Sequence, residues 1–190
     1  MGFCRDAETK KTICTFASDV GRPAAYTYEQ YPVGLLQGVD SLFDGRRRYH
    51  APMGRLVYVG SAPEGAEKSA ELAMDGMKAI CGALKVGAKA GDAYAAWREV
   101  AASAGLADYE RHHCGYMVGI GFSPSWTGGS MVTSLFPGSE RTLEAGMVFH
   151  THSWFTDTDV VDYFISNTVL LTEDGAEVLT SSTPEYLQVR

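Results

Sequence analysis

No stretch of this chain approaches the ~20 consecutive apolar residues that a membrane-spanning helix requires. A positive surplus is also missing: the net charge is −7 and the pI about 5.2. Neither nucleic acid nor an anionic membrane surface is therefore expected as a partner. The one basic run, Arg46-Arg47-Arg48, follows Asp44-Gly45 and reads as a solvated turn. Cysteine is sparse and scattered, at Cys4, Cys14, Cys81 and Cys114, with no CxxC pair. That spacing predicts free thiols, not a disulfide framework or a zinc site. The opening MGFCRDAETKK lacks the apolar core of a secretory leader. Asp6 stands where a myristoylation signal needs Ser or Thr, so a cytoplasmic location is the expectation. No repeat of about 20 to 50 residues is visible.

What is present suits one globular domain: 190 residues, 45% hydrophobic and 21% charged. A chain of this length buries roughly two-thirds or more of its unfolded surface. The first 45 residues carry short apolar pieces, KKTICTFASDV and VGLLQGVDSLFDG, around a Pro- and Gly-punctuated loop. RRRYHAPMGRLVYVG then reads as extended, with Pro52 and Gly54 marking a bend or sheet edge. From about Glu64 to Leu84 the period changes. Ala66, Ala70, Ala73, Met77, Ile80, Cys81 and Leu84 recur at three- and four-residue steps, the pattern of an amphipathic helix. Pro63 and Glu64 suit its first turn, and Glu64, Glu67, Lys68, Glu71 and Lys78 its wet face. A second helix is predicted from about Asp92 to Ala104, with Tyr94, Trp97, Val100, Ala101 and Ala104 inward and Gly105 as its stop. Beyond it the chain alternates strands and loops: GYMVGIGF, MVTSL, MVFHTHSWF and YFISNTVLLT, then a hairpin turning at Glu173-Asp174-Gly175. Strands, two helices and more strands make an α+β pattern, with helices on one face of a mostly antiparallel sheet.

Three clusters hold the polar side chains that carry chemistry. His50 and Arg55 lie in RRRYHAPMGR, where a histidine beside a bend can serve as an acid–base group or simply bond the backbone. ERHHCGYMVGIGF holds Arg111, His112, His113, Cys114 and Tyr116. Adjacent histidines diverge on an extended chain, so these two cannot serve one metal unaided. Cys114 beside them resembles a nucleophile–base pair only in sequence, because such pairs are defined by geometry. The glycines at 115, 119 and 121 have the wrong spacing for a dinucleotide fingerprint, and they suit close backbone approach instead. In GMVFHTHSWF, His150 and His152 are two apart on a strand and share a face. They could anchor a metal if a third ligand came from Asp157, Asp159 or Asp162, line a polar cavity, or serve structure alone.

The order of these motifs resembles the creatinase/aminopeptidase P/methionine aminopeptidase superfamily, with its pita-bread fold. LEAGMVFHTHSWF followed by ISNTVLLTEDGAEVLT is similar to the end of that domain, and GYMVGIGFSPSW to its Gly-His-Gly-Ile-Gly strand. RRRYHAPMGRLVYVG is similar to its Asp-x-x-Arg-Thr strand. The likeness covers about residues 46–183, and RYHAP, GYMVGIGFSPSW and FHTHSW resemble the creatinase-like, ectoine-hydrolase-like branch. It implies an incomplete pita-bread domain over residues 46–190, with a curved sheet, preceded by an atypical or shortened segment over residues 1–45. The superfamily's peptidases hold two metals with two Asp, one His and two Glu. By motif, the second Asp falls on Pro52, the His on Tyr116, the first Glu on His152 and the last Glu on Ser166. The first Asp should fall near Ser41, with Asp40 and Asp44 out of register, and the substrate-facing His near Ser123. No metal and no other cofactor is expected on such a set.

The resemblance then implies a metal-independent hydrolase acting on a C–N bond of a small amide, amidine or cyclic substrate. His150 and His152 are its candidate proton-transfer groups, and His50 is a secondary one. Arg111 is the candidate partner of a substrate carboxylate. Tyr116 and Ser166 are candidate hydrogen-bonding wall residues, and Trp126 and Trp154 candidate apolar walls. Relatives of this branch place their acid–base His ahead of the RYHAP strand, and residues 1–45 offer no counterpart. The competing expectations are therefore a catalytically inactive peptide- or partner-binding module and a degenerate fragment. The expected assembly is a homodimer, as is common in the superfamily.

Overall fold

The computed structural model describes residues 51–58, 61–120, 132–156, 158, 161–181 and 186, together with the backbone of strands at 2–6, 12–15, 34–38 and 188–189. Helix α1 spans Ala66–Ala83 and α2 Ala90–Ser103. The predicted inward residues of α1 are where the period places them: Ala66, Ala70, Ala73, Met77, Ile80 and Leu84 are buried and Cys81 half-buried. Its start differs from expectation. Gly65 takes φ 86° and the Ala66 N–H bonds the Pro63 carbonyl at 3.1 Å, so Pro63 and Glu64 lie before the first turn. Helix α2 begins two residues earlier than predicted, because the Lys89 N–H donates to the Asp92 carboxylate at 2.9 Å and caps the helix there. Tyr94, Trp97 and Ala101 are buried, whereas Ala104 is exposed in the closing turn that Gly105 ends at φ 86°.

Two sheets carry the strands. One is ordered β2-β1-β3-β4-β9, from β1 (Gly2–Asp6), β2 (Thr12–Thr15), β3 (Gly34–Gly38), β4 (Arg55–Tyr58) and β9 (Gln188–Val189). The other is ordered β5-β6-β7-β8, from β5 (Gly115–Met117), β6 (Val148–Phe155), β7 (Tyr163–Thr172) and β8 (Gly175–Val178). All pairings are antiparallel except β4 with β9. The predicted hairpin is present, with Gly175 at φ 123° beside the turn. Strands β1 and β9 were not foreseen, and within MVTSL the described residues 132–135 make a bridge from Ser134 to Tyr116 instead of a strand. None of the described helices is long and apolar enough to cross a membrane.

The core lies between the helices and one face of β6 and β7. Strand periodicity sends Phe149, Thr151, Ser153 and Phe155 of β6 to that face. Trp97 of α2 stacks on Phe155 with ring centroids 5.3 Å apart and gives its Nε1–H to Ser153 Oγ at 3.2 Å. Tyr109 completes the stack, 5.7 Å from Phe155. Gly76 lets α1 approach here, since a Cβ would meet Trp97 Cδ1 at 2.9 Å and overlap Ser153 Oγ. The opposite face of the same two strands is left for His150, His152 and Trp154.

Candidate active site

Register decides which residues meet on that second face. Tyr116 pairs with His150, His150 with Thr168, His152 with Ser166, and Trp154 with Phe164. Directly paired residues share a face, so Tyr116, His150, His152, Trp154, Phe164 and Ser166 form one patch. Gly115 allows β5 to lie so close: a Cβ there would sit 2.7 Å from the His150 carbonyl oxygen. Gly54, at the mouth of β4, is bridged to Ser166 by two backbone bonds of 3.2 and 3.0 Å. A Cβ at Gly54 would overlap the Phe164 ring and press on Ser166 Oγ at 2.8 Å. Next to it, the Pro52 carbonyl accepts from Thr168 Oγ1 at 2.7 Å. The described positions that the resemblance matches to metal ligands, 52, 116, 152 and 166, are thus gathered round one spot.

The rings pack as a cluster. His150 and His152 have centroids 4.8 Å apart, and Tyr116 meets them edge-on at 5.2 and 5.4 Å. His113, from the loop before β5, lies 5.0 Å from His152. The Tyr116 hydroxyl and His150 Nδ1 share a hydrogen bond of 2.8 Å. Other polar atoms have no partner among the described residues: His113 Nδ1, His150 Nε2, His152 Nε2 and Ser166 Oγ are sealed from solvent without one. Buried polar groups are seldom left so, and four of them converge on this one patch.

Electrostatics keeps these rings neutral. Burial, then the neighbouring His112 and Arg111, pushes His113 down to about 4. Burial, reinforced by His113, pushes His150 down to about 3. His152 is held well below its usual range by burial, then by His150, His113, Arg111 and His112. Cys114 is buried and its thiol raised far above the usual range by desolvation, so it is no nucleophile at neutral pH.

At the rim, Arg111 lies over the Trp154 ring, its Cζ 4.0 Å from the centroid. Its Nη1 donates to Thr156 Oγ1 at 3.3 Å. The α2 residue Tyr94 fixes the backbone there, giving its hydroxyl to the Arg111 carbonyl at 2.6 Å and accepting the Arg111 N–H at 3.1 Å. Of the residues singled out in the sequence, His150, His152, Tyr116, Ser166, Trp154 and Arg111 are therefore brought together. His50 and Trp126 lie outside the described residues, as do Ser41, Ser123, Asp157 and Asp159. Asp162 is buried, its carbonyl accepting from Tyr58 at 3.3 Å. Arg55 does not face the patch as a free cation. It is buried and ties β4 to β7 through the Ser166 carbonyl at 2.6 Å and Asn167 Oδ1 at 2.8 Å. His113 is the residue that sequence reasoning missed. The expected divergence of His112 and His113 is not what the structure shows: in this loop their rings meet edge to face with centroids 4.1 Å apart.

The sequence profile of metallopeptidase family M24 matches residues 36–173. The ectoine hydrolase of Halomonas elongata is 36% identical over 146 residues, which are 70% of this chain and 32% of that protein. The prolidase from Pyrococcus furiosus superposes with a TM-score of 0.62 at 25% identity, over 80% of this chain and 42% of that one. The N-terminal domain of the FACT complex subunit SPT16 from chickpea, Cicer arietinum, superposes with a TM-score of 0.61 at 18% identity, over 82% and 37%. The chain spans 32 to 38% of the length of the curated relatives it matches. What it holds is part of the pita-bread fold.

Proposed function

The chain belongs to metallopeptidase family M24, and from that premise we propose that it hydrolyses a C–N bond of a small amide, amidine or cyclic substrate without a metal. The observation that carries this reading is the set of sealed, unpartnered imidazole nitrogens on His113, His150 and His152 beside Ser166 Oγ. A neutral imidazole can accept a proton at one nitrogen and donate at the other. One ring takes a proton from water as its oxygen adds to the substrate carbon. When the intermediate collapses, the C–N bond breaks and the departing amine takes that proton back from the imidazolium, which leaves every ring neutral again. Ser166 offers its hydroxyl to the developing oxyanion, and Tyr116 holds the His150 ring through its hydroxyl. Each positioned proton-transfer group contributes about 10²–10⁴-fold.

The residues present do not fit the family's paired metals. Pro52 offers only a carbonyl already engaged by Thr168, and Tyr116 is bonded to His150. Carboxylates are what neutralise and bridge hard divalent cations, and Ser166 is no substitute. Among the described residues no three His, Cys, Asp or Glu side chains are grouped to hold one ion. No step is therefore routed through a metal.

The test is amine release from creatine, ectoine and Xaa-Pro substrates with and without EDTA. Turnover should survive EDTA and fall by about 10²-fold or more in His152→Ala. Activity that requires added metal, or an undiminished His152→Ala enzyme, would overturn the reading. A partner-binding module is the second reading. It is favoured by the lack, among the described residues, of a carboxylate against the imidazoles, which leaves nothing to hold one of them protonated. Tight peptide binding with no turnover on the same panel would select it.

A further inference from the structure

We propose that this pocket selects its ligand by charge: it takes a small carboxylate whose reacting end is an uncharged amide or lactam, and it discriminates against guanidinium and amidinium groups. The inference deepens the hydrolase reading by naming its substrate class, and the binding half of it stands without turnover. Arg111 is half-buried, and its polar contact is a single bond from Nη1 to Thr156 Oγ1 at 3.3 Å. No carboxylate among the described residues forms an ion pair with it. A guanidinium has five N–H donors in a planar fork, and here most of the fork is unspent. Its flat face is held over Trp154, which fixes the plane without using the donors. A partly desolvated cation of this kind gains most from a carboxylate bound through two parallel bonds.

The groups beyond Arg111 decide what the rest of the ligand can be. His112 and His113 come from the loop before β5, Tyr116 from β5, His150 and His152 from β6, and Ser166 from β7. None of these side chains is a carboxylate. A guanidinium or amidinium placed there would meet like charge from Arg111 and no counter-charge from the described walls. An uncharged amide instead meets the unpartnered ring nitrogens and the Ser166 hydroxyl, which supply both donors and acceptors. A bound carboxylate also offsets the positive field that disfavours protonation of the rings, which brings their basicity nearer the working pH.

The experiment is calorimetric titration of the full chain with N-acetylglycine, with its uncharged amide N-acetylglycinamide, and with creatine, which carries both a carboxylate and a guanidinium. N-acetylglycine should bind at least about tenfold tighter than either of the others. Arg111→Gln should erase its advantage over N-acetylglycinamide. Arg111→Lys, which keeps the charge and loses the fork, should fall between. Creatine binding as tightly as N-acetylglycine, no binding of N-acetylglycine, or an Arg111→Gln chain with unaltered affinity for it would each overturn the proposal. Arg111-dependent binding of N-acetylglycine with no amine release from it or from creatine, ectoine and Xaa-Pro substrates would instead sink the hydrolase reading and leave charge selection intact. Amine release from creatine but not from N-acetylglycine would do the reverse.

Discussion

The two faces of β6 are built from the same strand and bury polar groups to opposite ends. On the helix side, Ser153 accepts from Trp97 Nε1, and Thr151 donates to the Asn167 carbonyl at 3.3 Å. On the other side, His150 and His152 each keep a sealed Nε2 with no partner. A fold that pairs its buried hydroxyls on one face has the means to pair its imidazoles on the other. That it leaves them open is the signature of a surface kept for a ligand. Tyr163 on β7 shows that the separation is not absolute: its hydroxyl is also unpartnered, and burial raises it to about 12.

The contrast breaks most visibly from the helix side. Phe155 is fully buried between Trp97 and Tyr109, and Phe155→Ala should cost about 3–5 kcal/mol. Chemical denaturation reads this directly. A loss below about 1 kcal/mol would mean that the aromatic stack does not hold α2 on the sheet.

Acid should break it next, from the histidine side. In the unfolded chain a histidine titrates near 6.5, whereas the folded protein holds His113 near 4 and His150 near 3, and His152 well below its usual range. Below about pH 6.5 the unfolded state therefore binds more protons than the folded one. Stability from these rings is full above that pH and falls as the pH drops toward the folded values. The slope is about 1.4 kcal/mol per pH unit for each fully shielded ring, less for the half-buried His113 and His150. Melting temperatures recorded from pH 7.5 to 4.5 should decline below about 6.5, and the decline should be shallower in His152→Phe. A flat profile would show that the rings are solvated.

Ser153→Ala gives a finer version of the first break. It removes one oxygen and leaves the buried Trp97 N–H unpaired, at a cost of about 1–3 kcal/mol. Tryptophan fluorescence during unfolding checks both the stability and the indole's surroundings.

How much of this was legible in the sequence follows from the range of the forces involved. The helices could be read because Ala70, Ala73, Met77 and Ile80 repeat within a single element, and the hairpin because Gly175 must take positive φ. The shared face of His150 and His152 follows from strand period alone. The approach of Tyr116 could be placed only by resemblance, since register depends on which strand lies alongside. Capping by Asp92 moved a helix start that hydrophobic period cannot define. His113 escaped because a loop has no period, and the emptiness of Arg111's fork depends on what folds around it.

The smallest expected effect on stability is the most telling. His152→Phe replaces a sealed, unpartnered imidazole with an apolar ring that can keep the edge contacts to Tyr116 and Phe164, now at 5.4 and 6.4 Å. Removing a paired polar group strands its partner, as in Ser153→Ala, but removing an orphan strands nothing. The change should therefore leave stability within about 1 kcal/mol of the parent, or raise it, while abolishing ligand binding or turnover. Denaturation midpoints set beside calorimetry with N-acetylglycine make the comparison. A His152→Phe chain destabilised as much as Ser153→Ala would show that the imidazole is a structural member after all. The two faces of β6 would then differ in partners but not in purpose.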